Sequence, residues 1–445
     1  MGIIVNLSKT IGKIKPMNCV NNGPVWKKNS DQNITNMVEY KAAGFPYART
    51  HDSSINYGYG GEHVIDIIAI FNDFDADPEC TESYDFQLTD EYLQRFDVAE
   101  TKVFYRLGCK IEHWSKKYGT LPPEDFHKWA VICEHIIRHY NEGWNHGFFM
   151  NIEYWEIWNE PDGAADDTDP ARKLTWGGTA AQFYEFYTVA ATYLKAKFPS
   201  LKIGGPAVCS FNEEWDTAFF EKLTENEHVP LDFFSWHAYF TDPRQITDTV
   251  SRIRAFLDHY EYTATESILN EWNYIKSFDA KQFLPSIQTI IDMKGAAFNT
   301  AVMCMSQDRP LDMLMYYDAR PCIMNGLFDF YTQKPLKGYY PFKVWSELIR
   351  LGNEVETEII EDDIYSVTAS NGQKSATLLC YYTDLEGKSE KQINIEMKNS
   401  FTDSFDISIL DHEHNFDNAY SCKLINSRIT LSLMPNTVAL IKSNG

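Results

Sequence analysis

Two short segments carry carboxylic acids where a displacement at an acetal carbon would need them. The first, Tyr154-Trp155-Glu156-Ile157-Trp158-Asn159-Glu160-Pro161, reads as a buried strand ended by Pro161, which cannot donate to a sheet ladder, so Asn159 and Glu160 fall at its end. In the second, Ser267-Ile268-Leu269-Asn270-Glu271-Trp272-Asn273-Tyr274, a short apolar strand again ends on an acid. A carboxyl set among aromatic rings and near a second acid resists ionisation and can deliver a proton to a departing oxygen, while an ionised partner attacks the carbon that oxygen leaves. Carboxyl groups about 5–5.5 Å apart perform this as a double displacement with a covalent intermediate; at about 6.5–9.5 Å a water enters between them and the configuration inverts. Glu160 is the expected acid/base and Glu271 the expected nucleophile. Each motif alone is weak: Asn-Glu-Pro arises by chance, and Glu156 on the same strand reads equally well as an internal charge with a partner. Their weight comes from the elements around them.

Between Ile14 and Gly352 short β-prone runs alternate with longer segments of helical spacing, the pattern of repeated βαβ units. Eight strands are predicted: Met17–Val20, Tyr47–Thr50, Lys102–Leu107, Tyr154–Trp158, Lys202–Gly205, Asp232–His237, Ser267–Asn270 and Met313–Tyr317. Helical patterns over Pro123–Tyr140, Thr179–Phe198, Pro243–Tyr260 and Lys281–Phe298 lie between them, several opened by capping residues. The expected fold class is α/β, a closed (β/α)8 TIM barrel over 16–352 whose catalytic groups sit at the C-terminal strand ends. Glu160 and Glu271 then stand on the fourth and seventh strands, facing one another across the mouth. After Gly352 the pattern changes to alternating strands broken by turns such as Asn371-Gly372 and Glu386-Gly387, which predicts an accessory β-sandwich over 353–445. The run Ile3–Leu7 precedes the first barrel strand, so residues 1–15 are expected to complete that sandwich.

Composition narrows the partners. Asp and Glu number 63 against 40 Lys and Arg, and the net charge of −23 repels nucleic acid and anionic lipid. A neutral oligosaccharide or glycoside substrate suits this surface, with neither nucleic acid nor membrane as partner; a homo-oligomer stays open. Nine scattered cysteines, without a CxxC pair or a Cys/His cluster, argue for reduced thiols and against a zinc site. The acidic run Phe71–Cys80 lacks the glycine and terminal Glu spacing of a calcium loop and is expected to be a solvated loop. No metal and no cofactor are expected. The first residues show no basic segment followed by an apolar one, so a cytoplasmic location is expected, although a removed leader fits equally.

At Asn159-Glu160 and Glu271 the sequence resembles the clan of retaining (β/α)8 glycosidases, and within it glycoside hydrolase family 39, which holds β-xylosidases and α-L-iduronidases. Further segments carry the likeness: Ala48-Arg49-Thr50-His51-Asp52, Phe104-Tyr105-Arg106-Leu107-Gly108 with Ile111-Glu112-His113, Lys202-Ile203-Gly204-Gly205-Pro206, and Asp232-Phe233-Phe234-Ser235-Trp236-His237-Ala238-Tyr239. The resemblance implies a retaining glycoside hydrolase, most like a β-xylosidase. A related arabinopyranosidase, β-glucosidase, β-galactosidase or uronidase, or a non-catalytic carbohydrate-binding barrel, are the alternatives. It also implies that Asn159 bonds the sugar 2-hydroxyl. His237 and Tyr239 alternate on the sixth strand, with Tyr239 able to donate to the nucleophile and His237 to orient a hydroxyl or the acid/base. Arg49 can hold Glu271 ionised or simply brace the barrel with an internal salt bridge. His51, Glu112 and His113 follow the second and third strands as candidate sugar ligands, Trp272 is a candidate stacking platform, and Trp155 and Trp158 could join it. Asp318 and Arg320 replace the single aromatic residue that many clan members carry after the eighth strand, and are candidates to read the glycone.

Overall fold

The computed structural model describes residues 2–26, 35–53, 63–163, 173–322 and 326–444. Strand β1 (Ile3–Lys13) stands outside the barrel. Eight parallel strands follow in chain order: β2 (Cys19–Asn21), β3 (Tyr47–Arg49), β4 (Lys102–Leu107), β5 (Tyr154–Ile157), β6 (Lys202–Val208), β7 (Phe233–Phe240), β8 (Glu266–Tyr274) and β9 (Met313–Tyr316). They close into a barrel when β9 pairs back onto β2. All eight expected strands are present, and β6 and β8 extend three and four residues beyond the expected ends.

Strand alternation fills the barrel. Cys19, Phe104, Tyr154, Phe233, Ile268, Met313 and Met315 form an apolar plug in its interior, while their neighbours Tyr105, Trp155, Phe234 and Leu269 point outward into the layer beneath the helices. The helix Ala180–Lys197 begins with a reciprocal capping box between Thr179 and Gln182, and Asp125 caps Phe126–Glu142 through Lys128 N–H. The single helix expected over Lys281–Phe298 is instead two, Ala280–Ile290 and Met293–Gln307. The break sets Gly295 against the end of the first helix, where an added Cβ would meet the Ile290 carbonyl oxygen at 2.4 Å. Both helices bury apolar residues, so the periodicity runs across the break and hides it.

The remaining strands are β10 (Asn353–Ile359), β11 (Ile364–Ser370), β12 (Ser375–Tyr381), β13 (Lys391–Lys398), β14 (Ser404–Leu410), β15 (Tyr420–Lys423), β16 (Arg428–Leu433) and β17 (Thr437–Ser443). With β1 they form one nine-stranded, mostly antiparallel sheet in the order β15-β14-β17-β12-β11-β10-β1-β13-β16. β1 lies between β10 and β13, antiparallel to the first and parallel to the second. Both faces of β12 are buried: Leu379 and Tyr381 join Ile3, Val5, Ile393 and Ile407 in the sheet's own core, while Leu378 and Cys380, with Tyr382 just beyond the strand, join the barrel's outer layer. β10 and β15 do not stand out in the sequence. β10 carries Glu354, Glu356 and Glu358 on one alternation and β15 is a short, largely exposed strand, so neither shows an apolar run. Among the described residues no helix is long and apolar enough to cross a membrane.

Candidate active site

Above the apolar plug the barrel interior turns polar, and Arg49 at the end of β3 organises it. Its Nε donates to Glu156 at 2.7 Å, Nη1 to Asn21 at 3.2 Å and Nη2 to Asn159 Oδ1 at 2.6 Å; Nη1 also lies 3.5 Å from Glu271. Asn270 donates to the other oxygen of Glu156. Glu156 is therefore the principal counter-ion of a guanidinium fully buried with it, and Glu271 receives a weaker share of the same charge. The internal salt bridge and the contact to Glu271 coexist. Glu156→Ala leaves that guanidinium half-compensated, and should cost about 3–5 kcal/mol of stability in chemical denaturation. A loss below about 1 kcal/mol would contradict this account of the hub.

Two backbone irregularities aim the acids. Trp158 and Glu160 have positive φ, 78° and 49°, values that residues with a Cβ seldom adopt. Trp158 N–H still bonds Leu107 O at 2.7 Å and Glu160 N–H bonds Ala207 O at 2.8 Å, which locks the turn. Trp158 consequently leaves the barrel and packs on Trp129, Trp176 and Phe186, while Asn159 and Glu160 both reach the interior groups. Strict strand alternation would instead put Trp158 and Glu160 on one side. On β8 the register slips by one between Leu269 and Glu271, so Asn270 is an extra residue. Asn270 and Glu271 thus both face inward and the next residue, Trp272, faces out.

The carboxyl groups of Glu160 and Glu271 meet at His237 and Tyr239, inward-facing residues of β7. His237 Nδ1 and Glu160 Oε1 share a 2.8 Å hydrogen bond, and the same nitrogen is 3.6 Å from Glu271 Oε2. Tyr239 OH donates to Glu271 Oε1, and the Cys209 thiol lies beside Glu160. One oxygen of each carboxyl and a ring nitrogen of His237 all lie within 4.8 Å of one another. This trio has the residue types of a metal-ligand set, but the 2.8 Å bond between Glu160 and His237 is a proton-sharing contact. Burial pushes both carboxyls up to about 7 and pushes His237 down to about 4, so the imidazole is neutral at neutral pH. At neutral pH the two acids therefore hold about one proton between them. Arg49 favours ionisation of both acids, and the hydrogen bond from Tyr239 adds to it at Glu271 alone, which leaves the proton on Glu160. Asn159 Nδ2 and His237 Nε2 are buried without a partner among the described residues.

A second network follows β3 and β9. Arg320 lies 3.1 Å from Asp318 and 3.2 Å from Asp52, Asn22 donates to Asp318 at 3.1 Å, and Tyr317 OH donates to Asp52. Burial opposes ionisation of Asp52, but Arg320, His51, His63 and Tyr317 hold it well below the ordinary carboxylate range. Burial pushes Asp318 up to about 6 despite Arg320. His51 is buried 4.0 Å from Asp52, and its Nδ1 has no partner among the described residues.

Other expected ligands lie elsewhere. The Glu112 carboxylate accepts the N–H groups of Tyr118, Gly119 and Thr120 and the Thr120 hydroxyl, so it braces its own loop in place of binding sugar. His113, next to it, is exposed. Trp272 is fully buried against Tyr316, Phe298 and Phe342, and Trp155 is buried against Tyr105, so neither ring offers a stacking face in the cleft. Sequence reasoning had missed Asn21, Asn270, Tyr317 and Cys209 and given Asp52 no role of its own. Only the position of Tyr317 and Asp52 at strand ends gave any hint of them.

The sequence profile described as Glycosyl hydrolases family 39 matches residues 3–283. Two curated relatives are named Beta-xylosidase. The one from Geobacillus stearothermophilus is 26% identical over 208 residues, 44% of this chain and 36% of its own length. The one from Caldicellulosiruptor saccharolyticus is 29% identical over 128 residues, 28% of this chain and 23% of its own. The matched region thus spans well under half of either relative. Among solved structures, a glucosidase from Croceicoccus marinus superposes with TM-score 0.79 at 21% identity, covering 99% of this chain and 98% of that one. A monomeric beta-xylosidase from Caulobacter crescentus CB15 gives 0.69 at 15% identity, covering 99% and 98%. At these identities the likeness establishes the fold.

Proposed function

The chain belongs to the glycosyl hydrolases family 39, and on that premise we propose that it hydrolyses β-glycosides with retention of configuration, β-xylosides foremost. The observation that carries this reading is the pair of acids, Glu160 just beyond β5 and Glu271 within β8, each with a carboxyl oxygen within 4.8 Å of one on the other. Oxygens that close favour direct attack by one acid on the anomeric carbon over a water held between the two.

In the first half-reaction a Glu271 oxygen attacks C1 while Glu160 passes its proton to the glycosidic oxygen, so the C1–O bond breaks, the aglycone leaves as an alcohol and a glycosyl ester remains on Glu271. Glu160, now ionised and accepting from His237, then takes a proton from water, whose oxygen attacks C1 from the vacated face and releases Glu271. Positive charge on the ring grows in both transition states. Asn159 Nδ2 is suited to the sugar 2-hydroxyl, since its Oδ1 is fixed by Arg49 and the amide N–H₂ has no other partner among the described residues. Tyr239 keeps the attacking carboxylate oriented.

Glycone choice rests on the wall around Arg320. Its guanidinium is set between Asp52 and Asp318, and this wall offers hydroxyl-binding oxygens and a cation already neutralised. A uronate would bring a further negative charge beside these acids. We expect p-nitrophenyl β-xyloside to be cleaved, with the β-glucuronide and α-iduronide at least about tenfold lower in kcat/KM, about 1.4 kcal/mol. A panel of p-nitrophenyl glycosides tests this. Preference for a uronide would reverse the glycone assignment, and absence of turnover across the panel, as in a carbohydrate-binding barrel, would overturn the hydrolase reading.

A further inference from the structure

A groove of about 360 Å³ opens beside the catalytic pair, between the C-terminal ends of β6, β7 and β8. Three of its wall residues adjoin the acids themselves: His237 bonds Glu160, Cys209 lies beside it, and Tyr239 bonds Glu271. In the barrel order β7 lies four strands from β3, so the groove stands across the mouth from Asp52 and its network. A sugar held there would direct its aglycone, and the oxygen that Glu160 protonates, toward the groove. Two aromatic rings dominate the open walls. Phe278 is 62% exposed yet stands edge-on to Tyr239, centroids 5.2 Å apart, and Phe211 lies 5.3 Å from the guanidinium of Arg252. Two polar groups on the rim are engaged: Arg252 is 2.6 Å from Glu213, and the Thr249 hydroxyl donates to the Gln245 carbonyl.

We propose that this groove is the leaving-group site, that it selects aglycones carrying a flat apolar ring, and that Phe278 is the residue that sets this choice. The proposal rests on the hydrolase reading, since a glycoside supplies the leaving group to be selected. An aromatic aglycone buries its face on Phe278 and Phe211, where a sugar aglycone would exchange hydroxyl hydration for ring faces that offer it few hydrogen bonds. Because the Phe278 ring is largely exposed, its truncation leaves the core packing intact.

The test compares the intact protein with Phe278→Ala and Phe278→Trp on 2-naphthyl β-xyloside, xylobiose and β-xylosyl fluoride, the last having no aglycone to bind. In Phe278→Ala the kcat/KM ratio of naphthyl xyloside to fluoride should fall at least about tenfold, and Phe278→Trp should restore it to within about threefold. An unchanged ratio, a loss common to naphthyl xyloside and fluoride, or an equal loss for xylobiose overturns the proposal. If the unmodified protein cleaves none of the three, the xyloside reading of the proposed function falls and takes this one with it. If it cleaves them without the ratio change, this one falls alone.

Discussion

Replacing Glu271 by alanine should lower kcat/KM for p-nitrophenyl β-xyloside by at least about 10⁴-fold, equivalent to about 5 kcal/mol of transition-state stabilisation. The double displacement has no route without an oxygen nucleophile at that position. The fold should persist, because Arg49 keeps its principal partner in Glu156. Added azide, small enough to occupy the space of the missing carboxylate, should restore turnover and yield the α-configured xylosyl azide. Activity close to that of the unmodified protein would remove Glu271 from the mechanism.

Replacing Glu160 by alanine should act through the leaving group. Alkyl xylosides need a proton to depart and should lose about 10²–10⁴-fold, whereas the dinitrophenyl xyloside, whose leaving group is stable as an anion, should lose less than about tenfold in kcat/KM. Equal losses for both would reject the role. The pH profile gives a second view of the same residue. Activity is lost as pH rises through the value of Glu160, which must carry a proton, and as pH falls through that of Glu271, which must be ionised. Burial pushes both to about 7, so the profile should be a narrow bell near neutral pH whose limbs report the coupled pair. In Glu160→Ala the basic limb should disappear for the dinitrophenyl xyloside.

The barrel was legible because eight β-prone runs separated by helical spacing leave few other closed arrangements, and the strand count alone put the ends of β5 and β8 across one mouth. Alternation also carried His237 and Tyr239 to the acids, since β7 runs without a bulge on its own side. Alternation failed where the backbone departs from it. Positive φ at Trp158 and Glu160 and the extra residue Asn270 each shift the inward phase by one, and a pattern of period two cannot report such shifts. Trp272 and Trp158 were misplaced by those shifts. Glu112 eluded the reading for a different reason: a carboxylate that caps three backbone N–H groups of its own loop looks, in sequence, like one offered to a ligand. The network of Asp52, Tyr317, Asp318 and Arg320 joins loops far apart in the chain, so only the Asp318–Arg320 part of it could be anticipated.

The central claim, a covalent glycosyl-enzyme on Glu271, is tested most directly by trapping it. A 2-deoxy-2-fluoro β-xyloside with a dinitrophenyl leaving group forms the ester readily but releases it slowly, because fluorine at C2 destabilises the oxocarbenium-like transition state of the second step. After protease digestion, mass spectrometry of the trapped protein should find the fluoroxylosyl group on the peptide containing Glu271. A label on Glu160, or the absence of any adduct together with an inverted product, would contradict the account.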